Sequence, residues 1–278
     1  MPEWRDIAVF LDESPAGDRI GRHAARLAQS HKAHLIGIHG VLRRLHPSDA
    51  VVRGPALKDL LDQRRQADEQ RAAQAGRHFA DMVLEHEIGS EFRVVWHGGE
   101  TDGAALRSLH CDLIVAAHPR LPDLPAAWSG ERLLMDTGTP VLIIPDGWPD
   151  RPIGRRLLIA WNRSREARRA VGDAMPFIRT AEEATIVVID RAGQDDDDSV
   201  AGAHMFDHLS RHGAPVRIVE VESAGRPIAQ VLADTAREQG ADLLVLGAYS
   251  RPRAQELIFG GTTRTLLANP MMPLFISR

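Results

Sequence analysis

The chain repeats itself, and this internal repeat limits the folds open to its 278 residues more than any other feature. An apolar run ending in a carboxylate, Ile7–Asp12, returns 150 positions later as Leu157–Asn162, which ends in the matching amide. Further along, Cys111–Ala117 returns 130 positions later as Ala241–Gly247. A third matching run closes each copy. The sequence therefore predicts two copies of one domain in tandem.

The boundary between the copies is predicted in the Pro/Gly-rich stretch 145–152, which suits neither a helix nor a strand. We expect the first domain to span residues 1–147 and the second to span residues 153–278. The chain length agrees with two domains, since about 150 residues per domain is usual.

In both copies short, continuous apolar runs alternate with longer stretches of helical character. Such runs are typical of strands buried on both faces, and their alternation with helices predicts a parallel sheet with right-handed crossovers. The predicted fold class is α/β, with two tandem doubly wound domains, each a five-stranded parallel sheet flanked by helices. The predicted strands are Asp6–Asp12, Ala33–His39, Phe92–His97, Asp112–Ala117 and Pro140–Pro145 in the first copy, and Arg156–Asn162, Ala184–Asp190, Val216–Val221, Asp242–Gly247 and Pro273–Ser277 in the second.

The offset between the copies shrinks by 20 residues from the first strand to the fourth, so the first copy carries an insertion between them. Its segment Asp62–Arg71 is polar on every side. We expect the insertion to lengthen the second helix into a projecting, solvated arm.

Composition restricts the partners. The net charge of −4 argues against general electrostatic binding to nucleic acid. Only Lys32 and Lys58 could supply a lysine ammonium, and the single cysteine, Cys111, excludes an internal disulfide and fits a reducing compartment. The charged N-terminal segment and the lack of an apolar stretch of about 18 residues predict neither secretion nor membrane insertion. We expect a cytoplasmic protein.

Ligands of an open parallel sheet bind beyond the carboxyl ends of its strands, at the switch point of strand order. In the second copy the fourth strand runs into Gly247 and Ser250, and a helix opens after Gly260–Thr263. Glycines at a helix N-terminus let backbone N–H groups approach an anion, and threonine hydroxyls add donors. The same residues also suit a plain turn with a threonine N-cap.

The spacing G-x2-G-x9-G-[ST], placed between the fourth strand and the last helix of a unit of about 140 residues, resembles the universal stress protein family. The tandem repeat and the strand endings at Asp12 and Asn162 fit the same family. The resemblance covers essentially the whole chain. It implies an adenine nucleotide α-hydrolase-like fold and, as in one branch of the family, ATP in the switch-point cleft.

Carried over to the second copy, the family pattern is nearly intact. Gly247 and Gly260 match two of its glycines, while Ser250 replaces the middle glycine and Gly261 replaces the usual hydroxyl residue. Asn162 stands where the family has an aspartate that holds the adenine and ribose region. The resemblance implies that the ATP-binding residues are Ala160, Trp161, Asn162, Gly247, Ser250, Gly260, Gly261, Thr262 and Thr263.

In the first copy the pattern is degenerate. Asp12 matches, but Ala117, Arg120 and Glu131 replace the two leading glycines and the hydroxyl residue, and only Gly130 remains. Glu131 would place a carboxylate where a phosphate should lie. We expect that the first copy does not bind ATP.

Histidines suggest two alternative sites. His39, His97 and His118 end strands at the edge where Asp12 ends the first strand, so they could bind a metal or a small polar ligand, or bond only to loop carbonyls. A stripe of histidines at helical spacing could likewise bind a metal, although a solvated helix edge is the plainer interpretation. The stripe comprises His204, His208 and His212.

No nucleophile elbow, H-E-x-x-H motif or paired carboxylates occur, so we identify no catalytic residue and expect at most a slow ATPase. The leading hypothesis is a cytoplasmic universal stress protein that binds ATP in its second domain. It would act in stress response through nucleotide-dependent contacts with an unknown protein or a second subunit, and not with nucleic acid or membrane. One alternative is a stress-induced interaction protein that binds no nucleotide. Another is an enzyme of the related adenine-nucleotide α/β group.

Overall fold

A computed structural model describes residues 3–42, 55–97, 106, 109–122, 124–190, 199–248 and 261–278 of the chain. The chain divides into two compact units. One unit comprises Arg5–Thr137, and the other comprises Met1–Trp4 together with Gly138–Arg278. Each unit corresponds largely to one of the two predicted copies, and we call them the first and second copy below.

The first copy has four described strands in the order β3-β2-β1-β4, and all of their pairings are parallel. The order reverses direction between β1 and β4, which makes that position its switch point. Its strands and helices are β1 (Asp6–Leu11), α1 (Pro15–His31), β2 (His34–Leu42), α2 (Pro55–His86), β3 (Ser90–His97), β4 (Leu113–His118) and α3 (Gly130–Thr137), and a 3₁₀ turn (Ala126–Trp128) precedes α3.

The insertion of the first copy lies in α2, which is 32 residues long. Between Asp62 and Arg71 all residues but Asp68 are exposed, whereas Ala72, Ala75 and Phe79 in its second half are buried. The prediction of a lengthened, solvated second helix is confirmed, because the first half of α2 has no buried side chain among those described.

The second copy has the strand order β5-β10-β9-β6-β7-β8, with its switch point between β6 and β9. Its elements are β5 (Val141–Pro145), β6 (Arg156–Ala160), α4 (Arg165–Asp173), α5 (Met175–Thr180), β7 (Glu183–Ile189), α6 (Ser199–Arg211), β8 (Val216–Val221), α7 (Ile228–Glu238), β9 (Leu243–Gly247), α8 (Thr262–Ala268) and β10 (Leu274–Ser277). The predicted α/β class with a mostly parallel, doubly wound arrangement is confirmed.

One strand departs from the expected all-parallel pattern. β5, expected as the fifth strand of the first copy, belongs to the compact unit of the second copy and pairs antiparallel to β10. Its first four residues are buried, and so are all four residues of β10. An antiparallel partner therefore covers an apolar run that a sheet edge would leave open to water.

Two aspartates at matching positions fix the amino ends of the sheets. The Asp112 carboxylate accepts hydrogen bonds from the backbone N–H groups of Arg5 (2.7 Å) and Asp6 (3.0 Å). In the second copy the Asp242 carboxylate accepts bonds from three successive N–H groups, those of residues 154–156. The repeat is thus preserved in hydrogen bonds as well as in sequence.

Within the described parts of the chain, no helix combines the length and the apolar character that crossing a membrane would require.

Candidate functional site

The switch point of the second copy brings together predicted residues from two neighbouring strands. β6 pairs with β9 in parallel register, with Ile159 opposite Val245. Ala160, at the end of β6, and Gly247, at the end of β9, therefore lie at the same carboxyl edge. This edge is where an open parallel sheet binds its ligands.

Asn162 shapes the loop that follows β6. Its side-chain oxygen accepts hydrogen bonds from the backbone N–H of Ser164 (3.1 Å) and from the Ser164 hydroxyl (2.7 Å). The Ser164 oxygen in turn accepts a bond from the N–H of Ala167 (3.0 Å) and so caps α4. Asn162 is exposed, and its side-chain oxygen holds the turn.

Trp161 is a buried residue at this edge. Its side chain is 8% exposed, and its backbone N–H donates to the carbonyl of Val187 (3.0 Å). The indole N–H is buried and has no hydrogen-bond partner within the described residues. A buried donor without a partner is unusual in a folded protein.

Gly247 has a structural reason to be glycine. A Cβ atom built at this position would overlap the backbone of Glu166 and Ala167 in the first turn of α4. The end of β9 therefore packs directly on the start of α4. The first glycine of the motif is required by this contact, whether or not a ligand is bound.

The helix α8 (Thr262–Ala268) is the next described element after β9. Gly261 is its N-cap and makes no side-chain capping bond, so the first N–H groups of the helix have no side-chain acceptor there. Thr262 is half-buried and Thr263 is buried. The predicted residues Ser250 and Gly260 lie outside the described residues.

In the first copy a buried tryptophan lies over the carboxyl ends of β1, β2 and β3. Trp128 is 1% exposed and packs edge-on against Phe10 of β1, with the ring centroids 5.0 Å apart. It also lies beside His97 of β3, at 5.5 Å, and a Cβ atom on Gly40 of β2 would stand only 2.8 Å from the indole. One side chain thus covers the ends of three neighbouring strands.

Sequence reasoning missed this role of Trp128. The degenerate glycine motif predicted a lost phosphate loop but not what replaced it. The available signal was a tryptophan three positions after the proline-rich segment 119–125, together with a glycine at position 40, at the carboxyl end of the predicted second strand.

Two of the four residues of the predicted histidine site, His39 and His97, lie on opposite faces of the sheet. His39 stacks near Phe92, at 6.4 Å, whereas its neighbour on β2, Gly40, faces Trp128 together with His97. Burial lowers the pKa of His39, even though the Leu11 carbonyl and nearby carboxylates favour its charged form. Burial likewise lowers the pKa of His118, so both rings favour the neutral state.

Metal binding is not supported at either histidine set. Among the described residues, no group of three or more histidine, cysteine, aspartate or glutamate side chains is arranged to hold a metal ion. The rings of His208 and His212 pack against each other at 4.7 Å, edge to face. Cys111 is similarly inert, because burial and the nearby Asp112 and Asp6 carboxylates raise the pKa of its thiol to about 12.

The chain is similar to a known protein family over both of its copies. The model of the Universal stress protein family matches it twice, over residues 3–145 and 154–278. The chain belongs to the universal stress protein family. The resemblance inferred from the sequence is therefore confirmed, including its tandem form, and the chain is a stress-response protein of this family.

Solved structures agree on the fold. A universal stress protein from Archaeoglobus fulgidus DSM 4304 aligns over 98% of this chain and 96% of its own length, at 14% identity and a TM-score of 0.72. A protein of unknown function from Pseudomonas aeruginosa PAO1 aligns over 99% of this chain and 92% of its own, at 18% identity and a TM-score of 0.59. A search of curated protein sequences gave no match.

Proposed function

We propose that the second copy binds ATP at its switch point and that the chain acts in stress response through nucleotide-dependent interactions. The proposal rests on the placement of Ala160 and Gly247 at the ends of adjacent strands, with the turn formed by Asn162 after the first of them. In the first copy the equivalent edge is covered by a buried tryptophan.

Each group of residues has a role suited to its position. Trp161 and Asn162 would hold the base and ribose, and the indole N–H of Trp161 would gain an acceptor. Gly247 and Ser250 would lie beside the ribose and phosphates. The phosphates would be bound by backbone N–H groups and hydroxyls from Gly260 to Thr263, because the chain has almost no lysines to offer.

We propose binding with little or no turnover. No general base or lysine was identified near the predicted phosphates in the sequence, so any ATP hydrolysis should be slow. Nucleotide would instead bias the conformation of the segment after β9, and a protein partner or a second subunit in the cytoplasm would recognise the change. The two family domains would span residues 1–147 and 153–278, with β5 at the end of the first domain.

Titration calorimetry with ATP on a charge-matched pair of variants tests the site. Gly261→Asp introduces a carboxylate of the kind that Glu131 supplies in the first copy, while aspartate remains a good N-cap for α8. Gly261→Asn has nearly the same shape and capping ability without the charge. We expect wild type and Gly261→Asn to bind ATP and Gly261→Asp to lose at least about tenfold in affinity. Equal affinities for the pair, or no heat with wild type, would disprove the proposal.

A second candidate is an interaction protein that binds no nucleotide. Two observations favour it: the Asn162 oxygen is engaged by Ser164, and Gly247 is explained by its packing on α4. A thermal-shift series with ATP, ADP and AMP separates the candidates, since a ligand that binds only the native state raises Tm. Unchanged Tm with all three nucleotides at millimolar concentration would select this candidate.

A further inference from the structure

The first copy contains a cavity of about 190 Å³ between α1 and α2, next to the end of β1. It lies on the helical face that Phe79 covers, whereas Trp128 covers the other face of the same strands. The cavity therefore lies on the opposite face of these strands from Trp128, and it shares only Asp12 with the residues that match the family pattern. Nothing in the proposed nucleotide function uses it.

The inner wall of the cavity is apolar. It is formed by Leu11 at the end of β1 and by Ala75, Phe79 and Met82 of α2, all of which are buried. Hydrocarbon placed along this wall would be removed from water, which stabilises binding in proportion to the apolar area covered.

The remaining lining is mainly acidic. Asp12 lies at the β1 end of the cavity, and Asp81 and Glu85 are exposed side chains on the last turns of α2. A fourth carboxylate, that of Asp18, is hydrogen-bonded to the His78 ring across the two helices (3.0 Å). The only other ionisable lining residue is Arg22, so carboxylates outnumber the basic groups by four to two.

Asp12 is the most buried ionisable residue of this lining. Its side chain is 3% exposed, and one carboxylate oxygen accepts a hydrogen bond from the backbone N–H of Ser14 (3.0 Å). Its other oxygen, Oδ2, is buried and has no hydrogen-bond partner in the described part of the chain. Leaving a buried carboxylate oxygen unpaired is costly, and an ammonium group would supply both the missing donor and the opposite charge.

We propose that this cavity binds a linear aliphatic diamine or polyamine. One ammonium group would pair with Asp12, the methylene chain would lie along Leu11, Phe79 and Met82, and a second ammonium would reach the carboxylates of Asp81 and Glu85. The lining residues of α2 run from position 75 to position 85, which at 1.5 Å per residue is about 15 Å, a length suited to an extended chain and too long for a single small cation.

The decisive variant is Asp12→Asn, because the second copy shows that this substitution preserves the local fold. Asn162 occupies the matching position and makes the same turn to Ser164 that Asp12 makes to Ser14. Asp12→Asn therefore removes the charge and keeps the turn. Circular dichroism and Tm would verify that the variant is folded.

The experiment is calorimetric titration of the full chain with spermidine and with putrescine, in the absence of nucleotide. We expect wild type to bind and Asp12→Asn to bind at least about tenfold more weakly, as for the loss of a buried charged hydrogen bond. Glu85→Gln should weaken binding by a smaller factor. Glu69→Gln, a matched exposed glutamate on the solvated half of α2, should leave the affinity unchanged.

Three results would overturn the proposal: no binding by wild type, equal binding by Asp12→Asn, or an equal loss in Glu69→Gln and Glu85→Gln. The last would indicate non-specific attraction to an acidic surface. None of these results bears on ATP binding by the second copy, which uses other residues and another ligand.

Discussion

The two copies share the framework of the sheet and differ in what lies above its carboxyl edge. Both cap the first helix with the same Asx turn and serine, and both fix the first strand with an aspartate from the start of the fourth. At this edge, however, the first copy carries the buried Trp128 over β1, β2 and β3, and the second has a close-packed Gly247. A duplicated fold can therefore keep the contacts that build its loops while the cleft between those loops diverges.

The comparison also distinguishes two reasons for a glycine at a given position, close packing and contact with a ligand. Gly247 is required by the contact between β9 and α4, whereas its counterpart Ala117 carries a Cβ atom at the same position of the first copy. A glycine that matches the family pattern can therefore be explained by helix packing. Substitutions in both copies test how far the two differ.

Trp128→Ala should have the largest effect. Removing a fully buried indole leaves a cavity over β1, β2 and β3, and such changes cost about 3–5 kcal/mol. Urea unfolding combined with hydrogen exchange of the first-copy strands measures the loss. Trp148→Ala is the control, because Trp148 is only half-buried and packs under Arg151. A similar loss in both variants would contradict the role given to Trp128.

Gly247→Ala should destabilise the second copy by up to about 3 kcal/mol, since the added Cβ overlaps the α4 backbone and forces strand and helix apart. Gly172→Ala in α4 is the matched control. A Cβ at Gly172 meets nothing within 4 Å, so alanine should instead stabilise that helix by up to about 1 kcal/mol. Thermal unfolding of both variants checks the prediction, which fails if Gly247→Ala is neutral.

Asp242→Ala and Asp112→Ala remove the same capping contact from the two copies. The Asp242 side chain is buried and accepts three backbone N–H bonds, so its loss should cost about 2 kcal/mol. Asp112 is more accessible and water can replace its bonds, so we expect about 1 kcal/mol or less. The order of the two unfolding free energies is the test, and the reverse order would refute the argument from burial.

The smallest effect concerns pH. Burial favours the neutral form of Glu183, but Arg217 and Arg156 outweigh it and lower the pKa of the carboxyl. The ion pairs of Glu183 therefore stabilise the fold fully at pH values above 4.5, the ordinary pKa of a glutamate. This contribution is lost as the pH falls through the lower pKa that Glu183 has in the folded protein.

Because these groups are partly exposed, Glu183→Gln should cost less than about 1 kcal/mol at pH 7. The cost should shrink in unfolding measurements taken progressively below pH 4.5. The first copy has His34 at the position that matches Glu183, at the start of its second strand, so the first copy lacks this carboxylate. A cost that grows toward acid pH would show that the ion pair does not act as described.

Most of the architecture was predictable from the sequence because it rests on local or repeated signals. The continuous apolar runs predicted the strands, and the shrinking offset predicted a longer second helix in the first copy. The antiparallel pairing of β5 with β10 was not predictable, since an apolar run records that a strand is buried but not which neighbour buries it. In the candidate site, the positions of Ala160 and Gly247 at strand ends could be predicted from the apolar runs. The packing of Gly247 against α4 could not be predicted from them.

The sequence by itself determined the duplication, the α/β class and the chemistry available to a ligand: amides, hydroxyls and arginine, with almost no lysine. Only the tertiary structure decided that Trp128 covers the ends of β1, β2 and β3, that His39 and His97 lie on opposite faces, and that Asp12, with one unpaired oxygen, is among the residues lining a cavity. The physical reason is how far apart along the chain the residues that determine each feature lie. Strand and helix periodicity is set by neighbouring residues, but the filling of a cavity depends on side chains brought together from distant parts of the chain.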